Sequence, residues 1–155
     1  SLFSGDSIAD LLSQIKQMIT FAPDIEITLE ANPSTVEQKR FRDYRQAGIN
    51  RISLGVQSFQ DDKLKGLGRV HQSHEAKQAI EYIQTIEFDS FNIDLMHGLP
   101  HQRVADALDD LQTAIDFGAP HLSWYQLTLE PNTEFYKFPP KLPEEQDLAD
   151  IEAHG

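Results

Sequence analysis

The sequence contains no cysteine. That excludes disulfides, thiol nucleophiles and cysteine-ligated clusters built from this chain's own residues. Basic residues are scarce: 13 Lys and Arg stand against 25 Asp and Glu, a net charge of −12. A nucleic-acid groove needs cations that displace counterions from phosphate, so nucleic acid is not expected as a partner. The acidity reads as a solubility feature. No apolar run approaches the ~20 residues that span a bilayer, and no signal-peptide pattern opens the chain. The expectation is a soluble, cytoplasmic protein without a membrane span. Low-complexity segments and interdomain linkers are missing as well. What is there is a 155-residue chain, 39% hydrophobic and 25% charged, the composition of a single globular domain with a sizeable core.

Helix and strand patterns alternate along it. Ile8, Leu11, Leu12, Ile15, Met18 and Ile19 form a helical stripe, with Asp6 or Ser7 as the expected cap. A strand is predicted around Glu26–Glu30. Pro33 then breaks the chain, and Ser34 with Glu37 has the spacing of a capping box for a helix that runs to Ala47. Phe41 and Tyr44 are its core candidates, and Gly48 suits the position just past its end. Arg51–Gln57 reads as the next strand. A short helix near Asp61–Leu67 precedes a longer one with Ala76, Ala79, Ile80 and Ile83 on one face. FNIDLMHGLP, residues 91–100, supplies a third strand. Val104, Leu108, Leu111 and Ile115 mark a helix ending near Gly118. A fourth strand covers Leu122–Thr128. A proline-containing loop then leads to an acidic final helix.

Strands separated by helices of this length imply right-handed crossovers and a parallel sheet. The α/β pattern fits a doubly wound sheet or an arc of a (β/α) barrel. Ile52, Leu54 and Val56 oppose Ser53, Gly55 and Gln57; Phe91, Ile93 and Leu95 oppose Asn92, Asp94 and Met96; Ile27 and Leu29 oppose Thr28 and Glu30. Each strand thus has an aliphatic and a polar or small face. Sheets covered on both sides favour continuous apolar runs instead. A barrel covers one face and lines a lumen with the other. For LSWYQLT, either Ser123 and Tyr125 or Trp124, Gln126 and Thr128 could point inwards. Glu30, Gln57 and Asp94 sit at the carboxyl ends of their strands, the end that carries barrel active sites. An ionised carboxylate in an apolar strand is costly unless paired, so Asp94 is either tied into a structural network or faces a ligand. A closed eight-fold barrel takes ~250 residues, whereas four strands are predicted here, with open first and last edges. The expectation is one partial barrel domain over residues 1–155 within a longer protein, able to self-associate through those edges.

ITLEANPSTV, RISLGVQSF, KGLGRVH, FNIDLMHGLP and LSWYQLTLEPNT, in this order and at these spacings, resemble the oxygen-independent coproporphyrinogen III oxidase-like radical SAM proteins. The tryptophan-containing LSWYQLTLEPNT is more similar to the heme chaperone branch than to the true oxidase. The resemblance covers nearly the whole chain. It implies a partial (β/α) TIM-type fold, with this chain supplying parallel strands three to six of a (β/α)6 barrel.

The same resemblance implies S-adenosyl-L-methionine (SAM) and a 4Fe-4S cluster held by a CxxxCxxC loop. Reductive cleavage of SAM there yields a radical that abstracts hydrogen. The loop and a Gly-rich segment are expected before Ser1, and a heme-ligand motif after Gly155, so the cluster's ligands lie outside this chain. By motif position, Glu30, Gln57, Arg69 and Asp94 match the family's SAM contacts; no residue here is implied to be catalytic. Carboxylates accept from ribose hydroxyls or the ammonium, Gln57 offers donor and acceptor, and Arg69 can clamp a carboxylate. Read without the family, Arg69 is a surface arginine after a short helix. Thr128 falls near a further contact. Porphyrin or heme is the implied partner of the full-length protein, as heme chaperone or, alternatively, as oxidase. A third reading is an unrelated metal-dependent barrel lyase using Glu30, Asp94 and His97; His97 has the wrong strand parity for it. The isolated chain is expected to be inactive.

Overall fold

The computed structural model describes residues 3–34 and 38–155. Its elements are α1 (Gly5–Met18), β1 (Thr28–Ala31), α2 (Phe41–Ala47), β2 (Arg51–Gln57), α3 (Asp61–Gly66), α4 (Ser73–Gln84), β3 (Ser90–His97), α5 (Val104–Asp116), β4 (His121–Gln126), α6 (Glu134–Lys137) and α7 (Glu145–His154). The four strands are parallel and lie side by side in chain order. Crossovers of one hand between successive neighbours put every connecting helix on the same side of a sheet. A doubly wound sheet instead reverses its strand order midway. The order seen here is the barrel order, and the sheet stays open, with β1 and β4 as its edges.

The aliphatic parity of the strands decides which side the helices occupy. Ile52, Leu54 and Val56 of β2 and Phe91, Ile93 and Leu95 of β3 are buried against Phe41 and Tyr44 of α2, Ala76, Ala79, Ile80 and Ile83 of α4, and Ile8 and Leu12 of α1. Burying each large aliphatic side chain contributes about 1.5–3 kcal/mol. At the amino ends of the strands Asn50 acts as a clamp. Its Oδ1 accepts from Ile27 N at 2.6 Å, its Nδ2 donates to the Ile25 carbonyl at 2.8 Å, and its own carbonyl accepts from Asp89 N at 2.9 Å. One side chain and its backbone thereby join the entries of β1, β2 and β3. Gly48 ends α2 at φ 110°, a left-handed conformation that a side chain would strain.

Several local expectations change. Ser4, rather than Asp6 or Ser7, caps α1, its hydroxyl accepting from Ser7 N at 3.1 Å. Only Ile8 and Leu12 of the apolar stripe are buried; Leu11, Met18 and Ile19 are exposed. On α5 the buried face carries Asp106, Ala107, Asp110 and Ala114, and Ile115 is exposed. The small alanines let the helix approach the sheet, and Asp110 turns inwards to take the Ser58 hydroxyl and Phe59 N at 2.7 and 2.8 Å. β1 starts two residues later than predicted, and β4 stops at Gln126. Glu37, and with it the expected capping box, lies outside the described residues. Among the described residues no helix is long and apolar enough to cross a membrane.

Candidate cofactor site

The face without helices forms the floor of a cavity of about 660 Å³ at the carboxyl ends of the strands. Parity and register bring its polar groups together. Glu30 stands opposite Ser53 on the β1–β2 ladder, Gly55 opposite Asp94 on β2–β3, and Asp94 opposite Ser123 on β3–β4. Glu30, Gln57 and Asp94 all line this cavity, and Arg69, from the loop between α3 and α4, closes over it. Nothing in the strand pattern foretells that the loop brings Arg69 there. Among the described residues, no hydrogen bond or ion pair engages the side chains of Glu30 or Arg69.

Asp94 is tied into a network and also faces the cavity. Ser53 Oγ donates to its Oδ2 at 3.0 Å, and Asn92 Nδ2 donates to its Oδ1 at 2.7 Å. Asn92 Nδ2 also lies 3.0 Å from Ser53 Oγ and 2.9 Å from Ser123 Oγ. This layer spans β2, β3 and β4 and holds the carboxylate in one orientation. Charge-assisted hydrogen bonds of this kind contribute about 1.5–3 kcal/mol, which offsets the cost of a half-buried anion. The remaining acceptor capacity of the carboxylate opens onto the cavity.

Gln57 arrives by a less regular route. The β2–β3 register slips after Gly55, so that Gln57 pairs with Leu95. Val56, the extra residue, is buried in the core. Gln57 takes φ 71°, uncommon for a residue with a side chain. Bulges beside functional sites characteristically re-aim a side chain, and here the Gln57 amide lies across the cavity floor. Gly55 leaves room for it: a Cβ there would come 3.0 Å from Gln57 Nε2 and 3.6 Å from the Ala31 carbonyl.

β4, whose orientation the sequence left open, turns Ser123 and Tyr125 into the cavity. Trp124 packs against the core on the other side, with its ring 4.3 Å from that of His97. The Tyr125 hydroxyl donates to Gln57 Oε1 at 2.9 Å. Burial, and then the Asp94 charge, push this hydroxyl above its ordinary pKa of 10.0. Thr128 lies beyond the strand end, bonds Glu130 at 2.9 Å and lines a neighbouring cavity instead. His97 is buried on the helix side, where burial lowers its pKa. Glu30, Asp94 and His97 therefore do not form one set, and among the described residues no group of three or more His, Cys, Asp or Glu is placed to hold a metal ion. Sequence reasoning did not single out Ser53, Asn92, Ser123 or Tyr125 as site residues; the parity of β2 and β3 already put the first two on the polar face.

Comparison with known proteins agrees with this geometry. Residues 3–111 match the radical SAM superfamily. Over its full length the chain is 58% identical to the heme chaperone HemW of Haemophilus influenzae and 54% identical to that of Escherichia coli. It spans 40% and 41% of the lengths of these relatives. The coproporphyrinogen III oxidase HemN of Escherichia coli, a radical SAM enzyme, superposes with a TM-score of 0.86 at 26% identity, over 98% of this chain and 36% of HemN. With a four-stranded arc of parallel sheet in barrel order and a family match over most of its length, the chain belongs to the radical SAM superfamily.

Proposed function

We propose that this chain forms the SAM-binding part of a cytoplasmic radical SAM protein of heme metabolism, on the heme chaperone branch. The observation that carries the reading is the convergence of Glu30, Gln57, Arg69 and Asp94 on one cavity. Superfamily membership implies use of SAM and a 4Fe-4S cluster. The donor set fits SAM. Glu30 and Asp94 supply acceptors for ribose hydroxyls or the methionine ammonium, and Arg69 supplies a fork for the methionine carboxylate. Gly55 leaves the floor open where a Cβ would press on Gln57 Nε2 and approach the Ala31 carbonyl. When bound, SAM supplies a sulfonium open to reductive cleavage. The cluster does not fit this chain, which has no cysteine. Its ligands are assigned to a segment outside residues 1–155, and these residues to one partial barrel domain of a longer protein. On its own the chain would self-associate through the β1 and β4 edges.

The chaperone reading is supported by 58% identity to HemW against 26% to HemN. Heme is then cargo, bound and delivered by the full-length protein. The test uses that protein with its cluster reconstituted anaerobically. SAM binding by calorimetry should weaken about 10–100-fold in Asp94→Asn, the range for losing a hydrogen bond to a charged acceptor. Heme titration should reach stoichiometric binding with no decarboxylation of coproporphyrinogen III. The 155-residue chain alone should release no 5′-deoxyadenosine. Unchanged affinity in Asp94→Asn would overturn the cofactor site, and turnover of coproporphyrinogen III would move the protein to the oxidase branch.

A further inference from the structure

We propose that Tyr125 is a positioning residue for this cavity: its hydroxyl fixes the Gln57 amide so that Gln57 presents an N–H donor, never its carbonyl, to the ligand. The inference rests on the SAM reading and adds the part played by β4.

A glutamine amide can turn over, exchanging a two-hydrogen donor for a two-lone-pair acceptor at almost the same position. Unrestrained, Gln57 could offer the ligand either end. Three features remove that freedom. The residue is only 4% exposed, so the amide has little room to swing away. The Tyr125 hydroxyl donates to Oε1 at 2.9 Å, which assigns the carbonyl end. The opposite end, Nε2, lies over Gly55 at a distance that would be 3.0 Å from a Cβ there. Among the described residues no acceptor engages Nε2, and Gln57 lines the cavity. Nε2 is not among the sealed polar atoms left without a partner, which are His97 Nδ1 and Gln102 Nε2, so its N–H is open to what enters the cavity.

The surroundings keep the Tyr125 hydroxyl protonated and able to donate. Burial and the Asp94 charge raise its pKa, and Glu30 acts in the same direction; Gln57 and Arg69 oppose them without reversing the shift. The phenol therefore stays protonated at neutral pH. Gln57 itself cannot slide along the strand, because its backbone is fixed at φ 71° at the bulge. The result is an arrangement in which Glu30 and Asp94 accept, while Gln57 and Arg69 donate. A ligand that carries both acidic and basic groups suits it.

The experiment is a double-mutant cycle on SAM affinity, measured by calorimetry in the full-length protein, with urea midpoints recorded in parallel. Tyr125→Phe keeps the ring and removes only the hydroxyl. It should weaken SAM binding about 2–10-fold, the range for one neutral hydrogen bond, with no more than a small fall in the urea midpoint. Gln57→Ala should weaken binding at least as much. In the Gln57→Ala background, Tyr125→Phe should have no further effect, because nothing is left to position. Additive losses would overturn the proposal, since a merely structural tyrosine acts equally in both backgrounds. Loss of affinity in Gln57→Ala with none in Tyr125→Phe would overturn the positioning role while leaving the SAM site standing. Parental affinity in Gln57→Ala and also in Asp94→Asn would bring down the SAM site and this inference together.

Discussion

Asp94 and Asp110 are both aspartates bonded to a serine hydroxyl, and they serve opposite sides of one sheet. Asp110, on the helix side, is 1% exposed; Ser58 Oγ and Phe59 N occupy one oxygen each, and burial raises its pKa. Asp94, on the cavity side, likewise has one donor on each oxygen, Ser53 and Asn92. What differs is the space beyond. Protein surrounds Asp110, so its charge is spent on joining α5 to the turn after β2. The cavity borders Asp94, so its remaining lone pairs are available to a ligand. The difference teaches that a buried carboxylate marks a site only where its hydrogen bonds leave one side open. The rest of each face follows the same division. Behind the sheet lie aliphatic side chains and alanines; in front lie hydroxyls, amides, carboxylates and a glycine.

The sharpest break of this comparison is a matched pair of neighbours on β2. Leu54 faces the helices and is fully buried. Leu54→Ala should cost about 2–5 kcal/mol of stability, as for other large-to-small core changes. Ser53→Ala, on the cavity face, removes one bond to the Asp94 carboxylate, which cavity water can replace, and should cost about 1.5 kcal/mol, the low end for a bond to a charged group. Urea unfolding of the two variants decides it, and equal losses would mean that the faces are not divided as described.

A smaller effect is expected from Asp110→Ala. It leaves the Ser58 hydroxyl and Phe59 N buried without an acceptor, a loss of about 1–3 kcal/mol. SAM affinity of the folded full-length protein should stay at the parental value, the reverse of Asp94→Asn. A variant that kept its stability and lost SAM would exchange the roles of the two aspartates.

The smallest effect sharpens the helix side further. His97 is buried there and His71 is buried in the loop before α4, beside the Val56 carbonyl, and desolvation lowers both pKa values below the ordinary 6.5. As pH falls through 6.5, the unfolded chain takes up protons at these positions while the folded chain does not. Stability therefore declines until the pH drops past the folded-state values, and it is regained as pH rises again. The urea midpoint should be lower at pH 5.5 than at pH 7.5, and His97→Leu should flatten part of that slope. An unaltered slope in the variant would show that His97 titrates alike in the folded and unfolded chain, against the lowering by burial.

Much of this arrangement was legible in the chain before any coordinates. A strand has a side-chain period of two, so the residues of β2 and β3 sort themselves onto opposite faces whatever the rest of the molecule does. That alone groups Ser53, Gly55 and Gln57, and groups Asn92 with Asp94. The helical stripe of α4, the glycine after α2 and the short helix before Arg69 are local signals of the same strength. Elsewhere local chemistry was silent. β4 alternates without an aliphatic side, and only pairing with β3 turned Ser123 and Tyr125 forwards. α5 offered Val104, Leu108, Leu111 and Ile115 as its inner stripe, yet close approach to the sheet selected the face with Ala107, Asp110 and Ala114. A helix can rotate to satisfy a buried hydrogen bond, and its sequence does not reveal where the partner stands.

The amino-acid sequence by itself determined the parallel α/β order, the division of each central strand into an aliphatic and a polar side, and the presence of a carboxylate or amide at three strand ends. The absence of cysteine also determined that no iron–sulfur ligand comes from these residues as cysteine thiolate. Tertiary structure alone decided that Arg69 closes over those ends, that Tyr125 meets Gln57 across 68 positions of chain, and that β2 slips by one residue to aim the amide. The physical reason is range. Periodicity and capping act over one or two turns of chain, whereas a cavity is made by groups far apart in sequence, whose meeting depends on register, on how closely a helix packs, and on the one glycine that leaves room for them.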